Sequence, residues 1–148
     1  LIPYERPFAL GTTYLYVASS IVPNLFWNLH PAIEYGSLGR WLTMTVDPLT
    51  FLSGGGLGYS FIAEAYANFG WLGTPFVMGL FGFAIAKLTN WPRDKNDYAR
   101  IAVVAVCMAN MLLWVRGDAN MVFRPLIYYA LVPYLAYHFL KSVLDKRR

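Results

Sequence analysis

Within SFIAEAYANF, Glu64 and Asn68 stand four residues apart, so on a helix a carboxylate and an amide share one face. A carboxylate that stays ionised within reach of a sugar hydroxyl can act as its general base; the alternative is a glutamate that ties down a loop or satisfies an arginine. In WVRGDANMVFRP, Arg116, Asp118 and Arg124 fall between two apolar runs. Ionisable groups in such a place are costly and by default mark a functional site or a buried ion pair. Two guanidiniums offer the fork geometry that a diphosphate calls for, while Asp118 paired internally with either arginine is the plainer reading. Arg40, in GSLGRWLTMTVDP, is a further cation. The loop GGGLG brings Gly54, Gly55, Gly56 and Gly58. Their spacing fits neither a dinucleotide fingerprint nor a P-loop. Glycines ahead of a helix expose backbone N–H groups, a setting for an anion such as a lipid pyrophosphate, unless the loop merely re-enters a membrane.

The elements that must position these groups are apolar. Of 148 residues, 57% are hydrophobic and 14% charged, against about 25% charged in soluble domains. The chain therefore reads as an all-α integral membrane protein. A net charge of +4 would suggest nucleic acid in a soluble chain, but the basic residues cluster at the edges of apolar runs, where membrane topology explains them and no nucleic-acid partner is needed. Cys107 stands alone, so neither a disulfide framework nor a metal signature is present, and no cofactor is expected.

Three transmembrane helices are predicted, over 71–88, 101–115 and 121–140; the middle one has 15 uncharged residues between Arg100 and Arg116, short of the roughly 20 that cross a bilayer. The loop 89–100, with Arg93, Lys95 and Arg100, and the tail 141–148, with Lys141, Lys146, Arg147 and Arg148, belong on the cytoplasmic side. Residues 1–70 and the RGDAN turn then face the periplasm of a bacterial inner membrane. Residues 8–27 either form a fourth span or lie in the interface, where the polar stripe Thr12, Thr13, Tyr16, Ser19 and Ser20 would face water. Residues 28–60 read as an irregular loop, closed by a short helix with Ser60 as N-cap and Gly70 at its end. His30 reads as a solvated loop histidine, with a proton carrier as the sharper alternative. Starting at Leu1 with no signal peptide ahead of the apolar runs, the chain reads as the C-terminal part of a longer protein.

IVPNLFW, then GGGLGYSFIAEAYANFGWLG, a span, a basic loop, and a span ending in WVRGD with a second arginine together resemble the C-terminal part of the O-antigen polymerases, the Wzy-like oligosaccharide repeat-unit polymerases. The stretch Ala63 to Gly73 is the most specific element. The resemblance implies a multi-span glycosyltransferase of the GT-C type that joins repeat units carried on undecaprenyl pyrophosphate into O-antigen, capsule or exopolysaccharide at the periplasmic face, without nucleotide sugar or metal. It implies membrane lipid and the lipid-diphosphate-linked glycan as partners, with room for a chain-length regulator. Carried over, Glu64, Asn68, Gly55 and Gly56 match the periplasmic stretch, and Arg116 and Arg124 match the arginine turn. The resulting expectation gives Glu64, Arg116 and Asp118 catalytic roles and gives Arg124, Arg40, Asn68, Gly55 and Gly56 substrate-binding roles. Family enzymes have many more spans, so part of their cavity lies outside this sequence. A transporter or flippase portion, a membrane scaffold and an O-antigen ligase are the competing readings; ionisable groups gathered at the outer ends of the spans favour surface chemistry over transport.

Overall fold

The computed structural model describes residues 1–22, 24–92, 94 and 96–146. Among these, every regular element is a helix. In chain order they are α1 (Thr12–Ala18) running into a 3-10 turn (Ser19–Ile21), α2 (Pro31–Glu34), α3 (Leu38–Val46), α4 (Pro48–Leu52), α5 (Phe61–Thr89), α6 (Tyr98–Trp114), α7 (Ala119–Leu126), a π turn (Ile127–Leu131) and α8 (Val132–Asp145).

The helix α5 is two helices joined at a break. Ser60 caps its start, its Oγ accepting the Ala63 N–H at 3.2 Å. Gly70 interrupts it with φ 65° and ψ −165°, a region essentially restricted to glycine. The break frees the carbonyls of Ala67 and Asn68, and the N–H groups of Ala9 and Leu10 take them, each at 3.0 Å. The N-terminal strand of chain is thereby tied to the elbow, with the Phe8 ring 3.2 Å from where a Gly70 Cβ would stand. Beyond the break, residues 71–89 run for about 28 Å at 1.5 Å per residue. Among the described residues α5 is the one helix long and apolar enough to cross a membrane, and α6 is a shorter apolar helix of 17 residues.

The expected third span is one rod made of three pieces. Pro125 and Pro133 lack an N–H and their rings crowd the carbonyl four residues back. Between them the helix widens into the π turn, which lets the rod run on to Asp145.

One of two open alternatives is removed and one expectation is overturned. Residues 8–27 are not a span, because α1 and its 3-10 turn cover ten residues, about 15 Å of a roughly 30 Å hydrocarbon core. Nor does their polar stripe face water as a whole: Thr12 and Tyr16 are exposed but Thr13 and Ser20 are buried, whereas the apolar Leu10 and Leu15 are exposed. Residues 28–60 are not an irregular loop either, since they fold into α2, α3 and α4. Ser37 accepts the Arg40 N–H, and Asp47, with Pro48 as the first helical residue, accepts the Thr50 N–H at 3.0 Å. These are ordinary helix starts. Of the basic residues expected at the cytoplasmic edge, Arg93, Lys95, Arg147 and Arg148 lie outside the described residues.

Candidate active site

The two carboxylates singled out above each hold the N-terminus of a helix other than their own. Glu64 is fully buried. Its Oε2 accepts the Ala119 N–H at 2.7 Å, at the start of α7, and its Oε1 accepts the Thr13 hydroxyl at 3.2 Å. Asp118 is the N-cap residue of α7, yet its side chain does not cap that helix. It reaches instead to the start of α3, where Oδ2 accepts the Ser37 hydroxyl at 2.9 Å and the Gly39 N–H at 3.1 Å. Glu64 thus does for α7 what Asp118 does for α3. Orphan N–H groups and the positive end of each helix favour an acidic partner at these points.

Asn68 completes the buried network. Its amide nitrogen donates to Thr13 Oγ1 at 2.7 Å and to the Glu64 carbonyl at 2.9 Å, and its Oδ1 accepts the Gly11 N–H at 2.9 Å. Glu64 and Asn68 do share a face, as their spacing predicts. That face is turned into the protein against α1 and α7, so neither residue lines an open cleft. Within the protein the Glu64 carboxylate meets a hydroxyl and a backbone amide rather than an arginine. No ion pair between Asp118 and an arginine occurs among the described residues, where the one salt bridge joins Arg100 to Asp97.

A cleft of about 580 Å³ opens beside this network, with Arg40, Tyr59, Gly55, Gly56 and Asp118 in its wall. Asp118 Oδ1 is buried and has no hydrogen-bond partner, although nearly all buried polar atoms have one. Arg40, in the first turn of α3, lies exposed with its guanidinium 4.9 Å from the centre of the Phe51 ring. Tyr59 donates its N–H to the Arg116 carbonyl at 3.4 Å. Burial, and after it the nearby Glu64 carboxylate, push the Tyr59 hydroxyl up to about 12, so it stays a proton donor across the physiological range.

The glycine loop is tied down more than expected. Gly54 and Gly55 give their N–H groups to the carbonyls of Phe51 and Thr50, and the Leu57 N–H goes to Thr43 Oγ1 at 3.2 Å. The first two amides of the anticipated anion cradle are therefore occupied within the protein. Arg116 and Arg124 are not in the cleft wall. Arg116 is exposed at the end of α6, and Arg124 is exposed in the last turn of α7 with its guanidinium 5.6 Å from the Tyr128 ring centre. The structure thus brings Arg40, Gly55, Gly56 and Asp118 together, places Glu64 and Asn68 behind them, and leaves the two turn arginines on outer surfaces.

His30 departs from expectation. It is buried, its Nδ1 accepts the Ala32 N–H at 3.1 Å as the cap of α2, and its Nε2 sits 3.0 Å from the Val22 carbonyl. Both nitrogens are satisfied by the neutral Nε2–H tautomer, which is a structural role rather than that of a solvated loop residue. Tyr59, Ser37 and Thr43 were not anticipated. Ser37 and Asp47 carried a readable signal, a cap residue ahead of an apolar run; Tyr59 carried none.

A family model, that of the O-antigen polysaccharide polymerase Wzy, matches residues 2–148. No curated protein and no solved structure matches significantly.

Proposed function

The chain belongs to the O-antigen polysaccharide polymerase family, and we propose that it joins oligosaccharide repeat units carried on undecaprenyl diphosphate at the periplasmic face of the bacterial inner membrane, as part of a GT-C-type glycosyltransferase. The topology follows from charge. With residues 71–89, α6 and the rod from α7 to α8 as spans, the basic loop 89–100 and the tail lie inside, and the cleft of Asp118 lies outside.

The observation that carries the reading is that Asp118 lines a cleft that also holds Arg40, while its buried Oδ1 has no hydrogen-bond partner in the protein. Asp118 Oδ2 is held by Ser37 and Gly39, so the carboxylate is fixed, and Oδ1 is the oxygen left for a sugar hydroxyl, which would reach it by displacing the side chains that cover it. In the reaction a hydroxyl of one repeat unit attacks the anomeric carbon of another. The new glycosidic bond forms as the bond to the diphosphate breaks, the hydroxyl proton passes to Asp118, and the polyprenyl diphosphate departs with its electron pair. Negative charge grows on the leaving diphosphate, and Arg40 is the cation in the cleft that offsets it. Arg116 and Arg124 flank the same turn and α7 and are assigned to the diphosphate at longer range. Gly55 and Gly56 let the substrate approach the loop closely. Glu64 and Asn68 are assigned a positioning role: they fix α7, and through it the carboxylate of Asp118.

Asp118→Asn in the full-length protein keeps the shape and removes the base. Its surface polysaccharide ladder should collapse to the shortest products, a loss of about a hundredfold or more in polymerisation, with normal abundance in the membrane. Arg40→Ala should shorten the ladder less severely. A normal ladder from Asp118→Asn removes Asp118 from the chemistry.

A further inference from the structure

The largest cleft described is not the one around Asp118. A groove of about 710 Å³ lies at the other end of α6, between the first turns of that helix and α8; the 17 residues of α6 put the two ends about 26 Å apart. Its volume falls in the range of about 300–1,000 Å³ usual for ligand sites. Its chemistry changes along its length. One end carries Asp94, Asp97, Arg100 and Lys141, and the other is closed by Val103, Val106, Ala130 and Pro133. Since α6 starts and α8 finishes at the charged end, Val106 lies about 9 Å deeper than Arg100 and Pro133 about 12 Å deeper than Lys141. Between the two ends, the Tyr134 ring packs 5.0 Å from Trp91 and 4.5 Å from His138, and amphipathic rings of this kind favour the water–lipid boundary.

We infer that this groove binds a phospholipid whose headgroup carries both a phosphate and a primary ammonium, with the start of its acyl chains along Val103, Val106 and Ala130. The charges at the polar end select the headgroup. Arg100 is matched by Asp97 at 3.1 Å and lies over the Trp91 ring at 5.3 Å. Among the described residues Lys141 is then the principal partner for the phosphate, and Asp94 for the ammonium. A headgroup with negative charge alone would set that charge against Asp94 and Asp97, and a quaternary ammonium has no N–H to give either carboxylate. The apolar floor along Val103 and Val106 gives acyl chains a surface that a free phosphoethanolamine would not use.

The test uses the full-length protein in detergent, offered phosphatidylethanolamine, phosphatidylcholine and phosphatidylglycerol of matched acyl chains in competition, with retained lipid read by native mass spectrometry. Phosphatidylethanolamine should be retained in preference to both others. Lys141→Gln and Asp94→Asn, both on the exposed rim, should each weaken its retention about two- to fivefold, the effect of one partly screened charge contact, with the polysaccharide ladder unchanged. Equal retention of the three lipids, preference for phosphatidylglycerol, or retention indifferent to both substitutions would each overturn the assignment.

Discussion

The two halves of the molecule are held by different means. In the half that carries the cleft, polar side chains are buried and matched across long stretches of chain: Glu64 to Ala119, Asp118 to Ser37 and Gly39, Asn68 to Gly11 and Thr13. In the half that carries the long helices, apolar side chains such as Leu72, Phe76, Leu80 and Phe83 are exposed, and most side-chain hydrogen bonds stay within one turn, as from Thr74 to the Gly70 carbonyl and from Asn110 to the Val106 carbonyl, with the Tyr128 hydroxyl, which donates to the Ile21 carbonyl at 3.2 Å, as an exception. Hydrogen bonds with defined donors and acceptors fix one geometry, because any other leaves a buried group unpaired. An apolar helix face carries no such information and takes its stability from an apolar surrounding. The difference teaches where precision is needed: at the cleft, where a carboxylate must hold one orientation.

Breaking the buried network tests that contrast most strongly. Glu64→Ala strands the Ala119 N–H and the Thr13 hydroxyl and opens a cavity, so a destabilisation of about 3–5 kcal/mol is expected. Glu64→Gln keeps an acceptor for one of the two donors and should cost only about 1–2 kcal/mol. Thermal unfolding of the purified full-length protein measures both. The pair also separates positioning from catalysis, since Glu64→Gln should preserve the polysaccharide ladder while lowering the melting temperature. A stable Glu64→Gln protein that makes no polymer would return Glu64 to the reaction itself.

The elbow joining the two halves comes next. Gly70→Ala forces a β-carbon into a backbone conformation that L residues rarely adopt and sets it 3.2 Å from the Phe8 ring. A loss of about 1–3 kcal/mol follows from the backbone alone. Because Ala9 and Leu10 dock on the carbonyls exposed by the break, the substitution should also loosen the N-terminal segment. Faster amide exchange at Ala9, Leu10 and Gly11, with α6 unaffected, would bear this out; uniform exchange along the whole chain would show that the elbow is not a local joint.

The same contrast explains what could be read from the residues. Ser60, Gly70, the shared face of Glu64 and Asn68, and the apolar runs are local signals, set by neighbours within one or two turns. The membrane-capable helix and the short capped helix before it were therefore legible. Helices α3 and α4 were also written locally, in Ser37 and in Asp47 with Pro48, but the glycine and proline content around them masked the caps. The exchange of caps was not legible at all. Asp118 sits at the start of its own helix yet serves Gly39, 79 residues away, and Glu64 serves Ala119, 55 residues away. Nothing in the spacing of residues names a partner at that range. The stripe on α1 misled for a related reason: Thr13 is polar because the network needs a hydroxyl that both donates and accepts, not because it meets water.

The smallest effect is expected at Asp47, which caps α4 just ahead of the cleft-lining Phe51 and Leu52. Two bonds from Thr50, hydroxyl to Oδ2 at 2.6 Å and N–H to Oδ1 at 3.0 Å, hold the Asp47 carboxyl below the usual carboxylate range. The Thr50 carbonyl in turn accepts the Gly55 N–H, so this cap steadies the glycine loop. A carboxyl whose folded value is lowered adds stability above its unfolded value, and loses it as pH falls through the folded one. Asp47→Ala should therefore be less stable than the parent at neutral pH, and the gap should close as pH drops below about 4. Thermal unfolding of the two proteins side by side from pH 7 to pH 3 measures it. A gap that stays constant over the whole range would mean that the protonated side chain caps α4 equally well, and that charge contributes nothing to holding the loop.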